Sequence, residues 1–190
     1  MKSLAPEVLQ FWFGEGAERG KPHKRWFEKD AAFDALVRKR FQHLHEEMLR
    51  TRHVEWLDDP QSCLARIIVL DQFPRHIYRG SARAFSTDAS ARETANHLVS
   101  EGWDRDLLPV ERMFAYLPFQ HSESLEDQER ALELYRPLQA FPETADTGRY
   151  AIAHRDIIRR FGRFPHRNAA LGRLSTPEEI EFLKQPGSSF

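Results

Sequence analysis

A single cysteine, Cys63, stands in the 190 residues. No disulfide can close within the chain, so a reducing cytoplasm is the expected compartment. No window approaches the roughly 18 consecutive apolar residues needed to cross a bilayer, and no membrane span is expected. The opening Met1-Lys2-Ser3-Leu4-Ala5-Pro6-Glu7 has one cation and no long apolar stretch, unlike a secretory signal. Lysine is scarce as well: 6 Lys stand beside 22 Arg, against 29 acidic residues, for a net charge of −1. That balance excludes both a polybasic nucleic-acid tail and an acidic disordered chain.

Several chemical signatures are missing. There is no Walker loop, no GxGxxG, no HExxH, no Cys/His ligand spacing and no nucleophile elbow. The 9 His are scattered. His43 and His45 are two apart and fall on different helix faces, and Glu-x-x-His does not occur twice, so neither a metal nor a cofactor is expected. Period-two alternation is absent too, which argues against a sheet.

What remains is helical periodicity nearly throughout, with 41% hydrophobic residues including 14 Phe and 4 Trp to fill a core. Folding at this length buries roughly 70% of the unfolded chain's surface. Pro6 opens a short apolar helix that Gly14 ends. Asp30 caps a long helix with Phe33, Leu36, Val37, Phe41, Leu44 and Met48 or Leu49 on one face. The apolar run Ser62–Phe73 could be a buried strand or a buried helix, and its length to Pro74 and helical context favour helix. Ser86-Thr87-Asp88 reads as the cap of a helix running to Glu101, stopped by Gly102. Pro109 opens the next, with Pro118 bending or ending it. Helices follow over Ser124–Leu138 and Thr147–Phe161, the latter with Tyr150, His154, Ile157, Ile158 and Phe161 on one stripe. Thr176-Pro177-Glu178-Glu179 is a helix start, with Ile180, Phe182 and Leu183 packing behind it. The expected fold class is all-α, about eight helices in antiparallel hairpins. Residues 1–185 are read as one domain and 186–190 as a flexible tail.

Four stretches are dense in polar groups beside aromatics. In Leu70-Asp71-Gln72-Phe73-Pro74-Arg75-His76, Asp71 and Arg75 are four apart and share a helix face. That reads first as a structural ion pair, and the helix N-terminus near Asp88 reads first as capped by its own side chains. In Phe119-Gln120-His121-Ser122-Glu123, His121 and Glu123 form a candidate acid–base pair, weighed against a plain solvated helix start. His154 faces inward and needs a polar partner, with His121, Glu123 or Asp71 as candidates. The fourth stretch holds seven arginines from Arg149 to Arg173 against Asp156 alone, a net of +6 flanked by −5 before and −2 after. Its arginines either tie the last loop to acidic helices such as residues 46–59, the favoured reading, or grip an anion bidentately.

Together these segments resemble the bacterial domain-of-unknown-function family 924. The resemblance rests on Pro6-Glu7-Val8-Leu9-Gln10-Phe11-Trp12-Phe13-Gly14, Trp26-Phe27, Leu70-Asp71-Gln72-Phe73-Pro74-Arg75, Ala84-Phe85-Ser86-Thr87-Asp88, Tyr116-Leu117-Pro118-Phe119-Gln120-His121-Ser122-Glu123 and Phe161-Gly162-Arg163-Phe164-Pro165-His166-Arg167-Asn168. Leu117, where many members carry Met, is a mild departure. The resemblance implies a tetratricopeptide-repeat-like helical fold in a cytoplasmic bacterial protein, and no activity.

Loops carry function more often than cores, and the polar segments fall at loops and helix ends. The leading expectation is therefore a pocket lined by Asp71, Arg75, His121, Glu123, His154, Arg163, His166 and Arg167, taking an anionic small molecule. The alternative is a helical-array scaffold for a peptide or protein partner. Nucleic acid, through stacking on Phe161, Phe164 and His166, is the weakest reading, since no nucleic-acid motif accompanies the arginines.

Overall fold

The computed structural model describes residues 3–51 and 53–189. Among them there is no strand, and eight helices carry the fold when the continuous stretch from Pro60 to Ile77 is counted once. The α-helical segments are α1 (Ala5–Phe13), α2 (Ala31–Thr51), α3 (Pro60–Ile67), α4 (Phe73–Ile77), α5 (Asp88–Ser100), α6 (Pro109–Gln120), α7 (Leu125–Tyr135), α8 (Thr147–Phe161) and α9 (Pro177–Leu183). Short 3₁₀ turns fill most connections.

Packing follows chain order closely. α1 lies on α3, α2 on α4, α3 on α5 and α6, and then α5–α6, α6–α7 and α7–α8 pack in succession. A helix as short as α1 is marginal by itself. It is held because Val8, Leu9, Phe11, Trp12 and Phe13 are all buried. Trp12, Trp26, Phe73 and Phe114 meet edge to face or stacked, with Trp26 and Phe114 ring centres 4.7 Å apart. A second, small apolar cluster of Ile157, Ile158 and Phe164, flanked by Phe161 and Phe182, lies apart from this main core.

Start and stop signals perform as chemistry demands in several places. Asp30 Oδ1 accepts from the amides of Ala32 and Phe33 at 2.8 and 3.2 Å. Gly162 ends α8 at φ +68°, a left-handed conformation that a side chain resists, and its N–H closes on Ile158 O at 2.8 Å. Thr176 and Glu179 form a reciprocal capping box at the start of α9.

Other expectations are corrected. The buried run does not stop at Pro74. It widens into a π-helical turn, Ile68–Gln72, and continues as α4 with Pro74 in its first turn. Proline has no N–H to give the carbonyl four residues back and its ring crowds that carbonyl. Leu70 O therefore has no N–H from residue 74, and the Thr87 hydroxyl donates to it at 2.5 Å. That is why Thr87, at the expected cap of α5, makes no side-chain cap bond. α7 ends at Tyr135, before Pro137, and a 3₁₀ turn carries Leu138. α6 instead runs through Pro118 to Gln120. Leu36, Leu49, Tyr150 and Ile180 lie outside the buried stripes, at 44%, 50%, 50% and 48% exposure. In α9 the buried position belongs to Glu179, which an ion pair satisfies. At the chain end Ser188 is buried and its hydroxyl donates to Leu183 O at 3.1 Å.

Thr87→Val tests the π turn. It removes the Thr87 donor to the buried Leu70 carbonyl and is expected to cost about 1–3 kcal/mol. The urea midpoint reads this, and an unchanged midpoint would mean that Leu70 O does not depend on Thr87.

Candidate functional site

The π turn fixes where Asp71 points. Its side chain is fully buried, and both carboxylate oxygens accept from His121 Nδ1, at 2.8 and 3.0 Å. Gln72 Nε2 donates to Oδ2 at 2.5 Å. Arg75, one turn on, lies 3.5 Å from Oδ1 and also donates to the Asp71 carbonyl. Burial alone pushes the Asp71 carboxyl up, but Arg75 and His121 outweigh it and hold it well below the usual carboxylate range. An ionised Asp71 requires the proton on His121 Nδ1.

His121 enters from the C-terminal end of α6, where Pro118 allows one more turn. Burial and the Arg75 charge lower its pKa, against the pull of Asp71. The ring is therefore neutral near pH 7, with Nε2 unprotonated. Nε2 makes no hydrogen bond among the described residues and is not one of the solvent-sealed polar atoms.

Arg167 completes the group. It projects from the rigid segment that follows Gly162 and Pro165. Its Nη1 donates to Asp88 Oδ2 at 3.1 Å and its Nη2 to the His121 carbonyl at 2.9 Å. Arg75 grips the same Asp88 bidentately, at 3.0 and 3.2 Å. Both guanidiniums lie over the Phe85 ring, at 5.8 and 4.7 Å, and Arg167 also over Phe164, at 4.7 Å.

Two more imidazoles border the group. The His154 ring centre is 6.4 Å from that of His121, and its Nδ1 donates to Tyr150 O at 2.8 Å. Gln120 Nε2, rather than a group of the expected Glu123, Asp71 or His121, donates to its unprotonated Nε2, at 3.5 Å. Burial draws His154 down to about 3 and His166 to about 4, with the Arg167 charge adding to the effect.

Of the eight expected site residues, Asp71, Arg75, His121, His154, His166 and Arg167 gather here. The other two do not join. Glu123 is no acid–base partner of His121: it takes both Arg173 nitrogens, at 2.8 and 3.0 Å, and the Phe164 amide at 2.8 Å. Arg163 closes on Glu179 at 2.6 and 2.8 Å. These pairs hold the loop that delivers Arg167. The arginine-rich stretch thus does meet acids, but not those of residues 46–59. Its partners are Asp156 within it and Asp88, Glu123, Glu129, Glu178 and Glu179 outside it. Asp88 was the residue hardest to see. Its position at a helix start reads as a cap, whereas it bridges two arginines 92 residues apart in the chain.

Among the described residues no group of three His, Cys, Asp or Glu side chains is arranged to hold a metal ion. Two shallow surface clefts, of about 340 and 240 Å³, lie elsewhere, one beside Arg19 and Leu108 and the other between α8 and α9. No helix among the described residues is long and apolar enough to cross a membrane.

The family described as "Bacterial protein of unknown function" matches residues 8–187. A solved structure, titled as a protein of unknown function from Agrobacterium tumefaciens, is 40% identical, with a TM-score of 0.84 over 95% of this chain and 97% of that one. No curated protein matches significantly.

Proposed function

Given that the chain belongs to this bacterial family of unknown function, we propose that it binds an anionic small molecule, through a phosphate or carboxylate group, where α4, α6 and the segment carrying Arg167 meet. Arg167 is the observation that supports this. Its side chain is 8% exposed, yet only two of its donors are engaged, by Asp88 and by the His121 carbonyl. A guanidinium offers about five N–H groups. Its buried Nε has no acceptor. Burial and the neighbouring Arg75 charge draw it down to about 10, so the Asp88 it shares with Arg75 answers its charge incompletely. An oxyanion against the unused N–H groups of both arginines would supply charge-assisted bonds to a cation already removed from water. Arg75 and Arg167 share Asp88, and Arg75 and His121 share Asp71, a compact grouping that suits a small ligand better than an extended peptide. A cytoplasmic setting belongs to the same reading and rests on the single cysteine, buried as Cys63.

Thermal unfolding with phosphate, sulfate, acetate and glycolate tests the proposal. At 100 times Kd a ligand adds about 2.7 kcal/mol, which for a chain of this size raises Tm by roughly 5–10 °C. Arg167→Met is expected to stay folded and lose the shift. Absence of a shift with all four anions, in protein that is folded, overturns the reading.

A further inference from the structure

The unused nitrogen of His121 constrains what kind of anion fits. The two arginines, the two carboxylates and His154 are each either donors or already engaged. Arg75 and Arg167 only donate. Asp71 is enclosed by His121, Gln72 and Arg75, and Asp88 lies between the two arginines. The nearest further ring, His154, is tied to Tyr150 O and faces Gln120. His121 differs, because the ionised carboxylate behind it fixes the proton on Nδ1 and leaves Nε2 as a lone-pair acceptor, on a side chain 14% exposed, that no described residue hydrogen-bonds. A fully deprotonated anion has only acceptor oxygens, and one of them set against Nε2 meets another lone pair.

Resting on the anion site proposed above, we infer that the ligand is an oxyanion carrying its own O–H, such as a hydrogen phosphate group or a hydroxycarboxylate, whose hydroxyl donates to His121 Nε2 while its charged oxygens accept from Arg75 and Arg167. Asp71 is then a positioning residue, holding the imidazole in the accepting tautomer.

Isosteric pairs of probes read this directly in the wild-type protein. At about pH 8, above the second phosphate ionisation, hydrogen phosphate and sulfate are both tetrahedral dianions and differ in one O–H. Glycolate and acetate make the same comparison on a carboxylate. A site built around a ligand hydroxyl rejects the analogue lacking it, so titration calorimetry is expected to show hydrogen phosphate bound at least about 10-fold tighter than sulfate, and glycolate tighter than acetate. In Asp71→Asn, which keeps the side-chain volume but frees the imidazole tautomer, the preference shrinks toward parity. Equal or reversed wild-type affinities within both pairs overturn this inference and leave the anion site standing. No binding of any of the four overturns both.

Discussion

Asp71→Ala is expected to lower the stability of the protein by about 3–5 kcal/mol, because removal of one partner strands a buried charge. Arg75 is left four-fifths buried with Asp88 alone, and Asp88 is already shared with Arg167. The His121 Nδ1–H and the Gln72 amide lose their acceptor in the same stroke. For a chain of this size the loss is a fall in Tm of roughly 6–20 °C. Asp71→Asn fills the same space with a polar amide and gives up the charge, so it should cost less than Asp71→Ala. Urea unfolding of the two variants ranks them. A loss below about 1 kcal/mol for Asp71→Ala would mean that Arg75 and His121 do not depend on this carboxylate.

The second large effect is acid sensitivity set in the imidazole range rather than the carboxylate range. His45, His154 and His166 are held neutral by burial, His45 and His166 at about 4 and His154 at about 3. In the unfolded chain each titrates near 6.5. Between those values the unfolded state binds the protons and the folded state does not, so stability falls as pH falls. Their contribution is full above about pH 7 and lost progressively down to about pH 4. Three such groups give a slope approaching about 4 kcal/mol per pH unit near pH 5. Asp71 acts lower: its folded pKa is depressed, so its contribution holds above about 4 and fades below that. Stability measured by urea at pH 7, 6 and 5 should drop at each step. A flat profile from pH 7 to 5 would contradict neutral burial of these rings.

Helices were legible where a local signal fixes them. Asp30, Gly162 and the Thr176–Glu179 box act through backbone groups within four residues, and a sequence shows that much. The π turn was not legible, because it depends on Thr87 reaching Leu70 O from 17 residues away. The site divides along the same line. Asp71 with Arg75 follows from helical spacing, and the inward face of His154 follows from its apolar stripe. Which acid each arginine meets is decided by how helices stack. Glu123 and Arg163 were drawn into the expected pocket by composition, but long-range packing gave them to Arg173 and Glu179. Asp88 was missed for the converse reason: a local role at a helix start was available and plausible.

The small apolar cluster of Ile157, Ile158 and Phe164 has a bearing on how the molecule breathes. The end of α8, the loop after it and α9 have their own seed of hydrophobic contact, and Arg167 and Arg173 moor that unit to Asp88, His121 and Glu123. The Arg173–Glu123 mooring, at 24% and 29% exposure, is the one that salt reaches, whereas the Trp12–Trp26–Phe114 core does not depend on charge. Amide exchange over residues 162–183 should therefore quicken with ionic strength while that of α6 holds, marking a cooperative unit that opens without global unfolding. Arg167 rides on that unit and Asp71 does not. Each opening would take the proposed site apart and each closing reassemble it, so the occupancy of any ligand would be written into the exchange rate of the C-terminal quarter of the chain.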